Sequence, residues 1–184
     1  MSINRFTTID INLLNLRYNY HTIKRYLSEG SKIMAIVKYN AYGHGGVKIA
    51  SFLEKEHVSC FGVASVEEGI ELREYGIFKP ILVLSVFHDD ELDEAIKNEL
   101  TLMVQDFKTV DKIDKMAEKL KRKVKVHVKV DTGMHRLGFA YDENVPGFLN
   151  EIRSLRTDLK AWMEERFSRI ETDVKTIKEK VGLT

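Results

Sequence analysis

Apolar and polar positions along this chain follow two periods, and the period switches at regular intervals. Leu13, Leu16, Tyr20, Ile23 and Leu27 recur at helical spacing and predict an amphipathic helix, which Ser28-Glu29-Gly30-Ser31 stops. Residues 6–12, ahead of it, read as a short lead-in strand. Strand-like apolar runs then begin near Lys32, Phe61, Ile81, Thr101 and Lys123, with amphipathic stretches between them at 66–75, 89–99 and 108–121. Strands that alternate with helices imply a parallel sheet, because parallel neighbours need a crossover connection. Successive strand starts lie roughly 20 to 30 residues apart, which leaves room for one helix and two short loops but no inserted domain. The pattern predicts an α/β fold, a partial (β/α) TIM-type barrel of about five of the eight units.

The rhythm stops after the fifth unit. A sixth strand is due near residue 157, but from Met163 the apolar positions Phe167, Ile170, Val174, Ile177 and Val181 step by 4, 3, 4, 3 and 4, with Glu, Arg, Asp and Lys between them. That is a heptad seam of under three repeats, marginal as a coiled coil and clear as an amphipathic helix. Two parts are expected: an incomplete barrel over 1–155 and a coiled-coil-like helical tail over 156–184.

Composition narrows the class. A chain of 184 residues, 43% hydrophobic and 31% charged, can bury one core. Its 29 Lys and Arg nearly balance 28 Asp and Glu, so the net charge of +1 gives no reason to invoke nucleic acid or an anionic membrane. Cys60 is alone and cannot form an internal disulfide, and the polar start with Ser2, Asn4 and Arg5 lacks the apolar stretch of a signal peptide. The expected location is the cytoplasm. No apolar run approaches the roughly 20 residues of a membrane span. The six histidines share no ligand spacing, so no metal is expected.

The chemistry gathers after the first strand. Ile33-Met34-Ala35-Ile36-Val37 runs into Lys38-Tyr39-Asn40-Ala41-Tyr42-Gly43-His44-Gly45. A lysine ending a buried strand is a poor structural choice, since an unpaired buried ammonium costs several kcal/mol. It is a good chemical one, because a partly desolvated amine is more readily neutral and can attack an aldehyde to form a Schiff base. In a barrel the site lies at the C-terminal ends of the strands, where Lys38 falls. The block Lys129-Val130-Asp131-Thr132-Gly133-Met134-His135-Arg136 falls there too, after the fifth strand. On that strand Val124, Val126, Val128 and Val130 would face the helices, leaving Lys125, His127 and Lys129 on the opposite face. By pattern alone this is equally a half-solvated strand, and for Lys125 and His127 that reading stands. Asp131 reads as a turn-capping aspartate.

Together the two blocks resemble the signatures of the alanine racemases, fold-type III enzymes that use pyridoxal 5'-phosphate (PLP). The resemblance extends through Phe61-Gly62-Val63-Ala64-Ser65, Glu67-Glu68-Gly69 and Ile81-Leu82-Val83-Leu84, over residues from about 6 to about 155. It implies racemisation of L- and D-alanine, supplying D-alanine for cell-wall peptidoglycan. It implies that Lys38 carries PLP and acts as one catalytic base. Tyr42 would bind the cofactor phosphate, and Arg136 would sit beside the PLP phenolic oxygen and the substrate carboxylate. Lys129, carbamylated in many members, would orient that arginine. The family is homodimeric.

The chain departs from the family after Leu159-Lys160-Ala161-Trp162-Met163, where Glu164-Glu165 replace the Thr-His or Ser-His pair. A full barrel takes roughly 250 residues, and the family's second base, a tyrosine of the partner subunit, has no matching position. The expectation is a truncated or interrupted racemase domain with impaired activity. Two other readings compete: a non-catalytic PLP-binding protein, against which the Tyr-Gly-His-Gly run counts, and a racemase relic that acts through the 163–181 seam.

Overall fold

The structure, a computed structural model, describes residues 9–140. The chain divides into two compact units, Met1–Lys129 and Val130–Thr184, each taken here by itself. The expected 155/156 boundary, the helical tail and the 163–181 seam lie outside the described residues.

In the first unit α1 (Leu13–Tyr26) is followed by β1 (Met34–Ile36), a short helical segment α2 (Lys38–Tyr42) and α3 (Gly46–Lys55). Four further strands come in turn with helices between them: β2 (Cys60–Val63), α4 (Val66–Glu74), β3 (Ile81–Val83), α5 (Leu92–Lys97), β4 (Thr101–Val104), α6 (Phe107–Leu120) and β5 (Val126–Val128). The five strands form one parallel sheet in sequence order, as consecutive βα units require. Local signals fix the helix starts. Asp106 Oδ1 accepts the Thr109 N–H at 2.7 Å ahead of α6, and Ser65 Oγ accepts the Glu68 N–H at 3.3 Å ahead of α4.

The two faces of the sheet differ in cover. Phe61, Val63, Ile81, Val83, Leu102 and Val104 are at most 1% exposed. They alternate with the other face and pack beneath helices whose own buried positions include Leu53, Leu72, Ile96 and Ile113. Burying each such side chain contributes roughly 1.5–3 kcal/mol. On the other face a Cβ added to Gly62 would lie 2.7 Å from Ile36 Cδ1 and 3.0 Å from Leu84 Cδ1, so these three share a side. Register adds Leu82 from β3, and the Met103–His127 pair lies on the same side of β4 and β5. On β5 the register sets Val126 and Val128 beside Leu102 and Val104 and His127 beside Met103; Val126 is buried, Val128 and His127 are half-buried, and Lys125 and Lys129 are exposed.

The expected helix is present as α1, and residues 6–8 of the lead-in segment lie outside the described residues. Residues 9–12 of the lead-in segment join no strand; Asn12 instead caps α1, its Oδ1 accepting the N–H groups of Leu14 and Asn15 at 2.9 and 3.1 Å. The apolar stripe of α1 is buried only at Tyr20, while Ile23 and Leu27 are 56% and 40% exposed. Among the described residues α1 packs on α3.

At the opposite end of the sheet from Lys38, the half-buried Arg73 guanidinium joins four carbonyls. It donates to Asn98 O, Ile77 O, Lys79 O and Glu99 O at 3.0, 2.7, 2.8 and 3.2 Å, tying α4 to the segments that enter β3 and β4. In the second unit β6 (Val130–Asp131) pairs in parallel with β7 (Phe139–Ala140). Among the described residues no helix is long and apolar enough to cross a membrane.

Candidate functional site

The segment that follows β1 has the most unusual backbone among the described residues. The Val37 N–H still donates to Gly62 O at 2.9 Å, extending the ladder one residue past the strand, and Val37 is 3% exposed. The next residue is the half-buried Lys38, whose Nζ lies 5.4 Å from the centre of the Tyr39 ring. Tyr39, Asn40, Ala41 and Tyr42 then take φ of 53°, 54°, 51° and 54°, a left-handed turn built without glycine. Each such residue costs roughly 1–2 kcal/mol against the right-handed form. Gly43 at φ 84° and Gly45 at φ 92° carry the chain out of it into α3 at no steric cost.

Several bonds offset that strain. The Ala41 N–H donates to Val37 O at 2.8 Å, Gly43 N–H to Tyr39 O at 3.0 Å and Gly45 N–H to Asn40 O at 3.0 Å. Asn40 Oδ1 accepts the Gly46 N–H at 2.6 Å, and Ala41 is buried. The Glu68 carboxylate, at the start of α4, accepts the Tyr39 N–H through one oxygen and the Ala64 N–H through the other, the latter at 2.7 Å. Backbone held in a sparsely populated region by so many partners is characteristic of functional loops. Tyr42, one turn beyond Lys38, is 58% exposed.

Lys129 sits at the C-terminal end of β5, exposed, with its N–H donating to Val104 O at 2.8 Å. Lys38 and Lys129 thus leave the same end of the sheet from its two outermost described strands, roughly 19 Å apart measured along four strand spacings. Arg136 belongs to the second unit, where it is exposed in the segment between β6 and β7. That segment is shaped by Asp131, whose Oδ1 accepts the N–H groups of Gly133 at 2.9 Å and His135 at 3.0 Å. Asp131 is therefore the turn-capping aspartate that its position suggests. These backbone bonds, Gly133 first and His135 next, hold its carboxyl below the usual 3.8.

Neither Glu68 nor the side chain of Asn40 stands out in the sequence as part of this site. Ser65-Val66-Glu67-Glu68 has the spacing of a local helix-capping box, and that signal conceals what Glu68 does. Among the described residues no group of three or more His, Cys, Asp or Glu could hold a metal. The surface hollow on the outer side of α1, lined by Leu14, Arg17, Tyr18, His21, Lys24 and Arg25, includes none of the candidate residues.

With a lysine closing β1, a strained turn behind it and a parallel sheet of βα units around it, relatives can be compared on structure as well as sequence. Residues 11–163 match the alanine racemase N-terminal domain family. The chain belongs to this family. It is 42% identical over 135 residues to alanine racemase 1 of Caldanaerobacter subterraneus subsp. tengcongensis, covering 73% of this chain and 35% of that protein. It is 38% identical over 174 residues to the alanine racemase of Treponema denticola, covering 95% of this chain and 46% of the relative. The solved alanine racemase of Clostridium difficile 630 superposes with a TM-score of 0.77 at 44% identity, over 79% of this chain and 38% of that one. The chain thus spans between a third and a half of the length of these relatives.

Alanine racemases are PLP-dependent, and the donor set after β1 suits that group. A primary amine at the strand end can bond an aldehyde carbon, and a phenol hydroxyl one turn further on can donate to a phosphate oxygen.

Proposed function

We propose that this chain is the PLP-binding part of an amino-acid racemase acting on L- and D-alanine. The observation that carries this reading is Lys38, presented at the C-terminal end of β1 by a strained, heavily bonded turn in a chain of this family. PLP, when bound, supplies an electron sink that makes the substrate Cα proton removable. Lys38 would hold the cofactor through its Nζ, and its amine would take and return the substrate Cα proton on one face.

Tyr42 donates its hydroxyl to the cofactor phosphate. Arg136 grips the substrate carboxylate and the phenolic oxygen, a task that suits a planar fork. Lys129 would orient Arg136, as a carbamate of the kind that many members of the family carry. The alanine preference follows the relatives, which are alanine racemases, and the homodimer and the cytoplasmic setting belong to the same reading. So does the division into a PLP-binding barrel part over 1–155 and a tail over 156–184.

The test is direct. Incubation with PLP should give a yellow absorbance, and borohydride should leave a covalent label that peptide mass spectrometry maps to Lys38. Lys38→Ala should remove both. A label that persists in that variant, or that maps to another lysine, defeats the assignment.

A further inference from the structure

The bridge made by Glu68 has a consequence for Lys38. The Tyr39 N–H lies inside the left-handed turn, directed away from the β1 ladder, and its acceptor is the Glu68 carboxylate on another element. The second Glu68 oxygen takes the Ala64 N–H, which opens the loop from β2 into α4. Two N–H donors converge on one side chain. A carboxylate meets both, because each oxygen only accepts, whereas an amide of the same shape would aim an NH2 at one of the donors. Glu68 is itself half-buried at the first turn of α4.

We propose that Glu68 is a positioning residue for Lys38: by clamping the N–H of the very next residue to the β2–α4 loop, it sets the direction in which Lys38 leaves the strand. An ordinary cap would bond the start of its own helix. This one spans 29 residues of sequence to reach the residue after the lysine. The inference rests on the proposal that Lys38 carries PLP, and it deepens that proposal.

The experiment uses the full chain, with Glu68→Gln as the near-isosteric variant, Glu68→Asp as a shortened carboxylate and Ser65→Ala as a control that weakens the α4 cap while leaving the bridge in place. The first readout needs no cofactor: amide hydrogen exchange at Tyr39 and Ala64 in the cofactor-free chain. Glu68→Gln should speed exchange at Tyr39 or Ala64 by about tenfold or more, while Ser65→Ala leaves both unchanged. The second readout is the rate of borohydride-trapped PLP labelling at Lys38 and the pH midpoint of the yellow absorbance. Both should move in Glu68→Gln and Glu68→Asp, and neither in Ser65→Ala.

Unchanged amide exchange in both Glu68 variants would overturn the clamp. Changed exchange with an unmoved labelling rate and pH midpoint would overturn its role toward Lys38. If the unmodified chain takes no label at all, the PLP reading itself falls. Amide exchange would then still report whether Glu68 holds the turn, so the two failures are distinguishable.

Discussion

Asn40 and Gly46 brace each other across the turn after Lys38: Asn40 Oδ1 accepts the Gly46 N–H at 2.6 Å, and a Cβ on Gly46 would come within 3.3 Å of Asn40 Cα. Asn is among the side-chain-bearing residues that best tolerate left-handed backbone, so Asn40 serves the turn twice. Asn40→Ala should destabilise the protein by about 1–2 kcal/mol through the lost hydrogen bond and the added backbone strain. Asn40→Gly should cost less, because glycine removes the strain although it loses the same bond. Urea denaturation at constant slope separates the two, and equal losses would show that the φ of 54° is not a source of strain.

The sheet was legible because its strands are compact apolar runs: Phe61, Ile81 and Thr101 fall in or begin strands where periodicity places them. The left-handed turn was not legible. Tyr39, Ala41 and Tyr42 carry no preference for positive φ, and one of the bonds that hold the turn comes from Glu68, distant in sequence. Nor could periodicity tell that Ile23 and Leu27 stay exposed, because spacing identifies an apolar stripe but not what covers it. Lys38 stands out in the sequence as a candidate because a strand-ending lysine has no packing rationale.

Arg73 makes a contrasting prediction at the other end of the sheet. Burial lowers its pKa, with Glu99 and Glu54 acting against that, and its fork meets four carbonyls. A lysine has three donors on a single nitrogen and cannot span them. Arg73→Lys should cost about 2 kcal/mol in chemical denaturation and Arg73→Ala somewhat more. Lys38 labelling by PLP should be unchanged in either variant under folding conditions, since chemistry belongs to the C-terminal ends of barrel strands and stability to the other.

Glu56 predicts an acid limb to stability. Its carboxylate accepts from His21 Nε2 at 2.9 Å and from Arg17 Nε at 2.7 Å, joining α3 to α1. The His21 hydrogen bond foremost, then Arg17, hold its carboxyl below the ordinary 4.5 despite some burial that works the other way. A carboxyl whose folded pKa is depressed contributes stability that is present above its unfolded value and lost as pH falls through the folded value. Glu56→Gln should therefore lower the melting temperature at pH 7, with the gap from the unmodified chain closing below pH 4.5. A gap that stays constant between neutral and strongly acid pH would exclude Glu56 as its source.

Arg136 and Asp131 supply the remaining prediction, which rests on the proposed role of the arginine. Asp131 holds the turn in which Arg136 sits by accepting two backbone N–H groups, and Arg136 is exposed. A carboxylate gripped by a guanidinium receives two parallel hydrogen bonds, whereas an ammonium gives a point charge with no fixed plane. Losing one charge-assisted bond while keeping the charge corresponds to roughly 1.5–3 kcal/mol, or about a ten- to hundredfold loss of affinity. Arg136→Lys should weaken alanine binding to the PLP-loaded chain by that factor, measured by titrating the yellow absorbance, while the borohydride label on Lys38 still forms. Asp131→Ala should move the same affinity in the same direction but by less, because it loosens the turn and leaves the fork intact. An Arg136→Lys variant that binds alanine as the unmodified chain does would remove Arg136 from the substrate site.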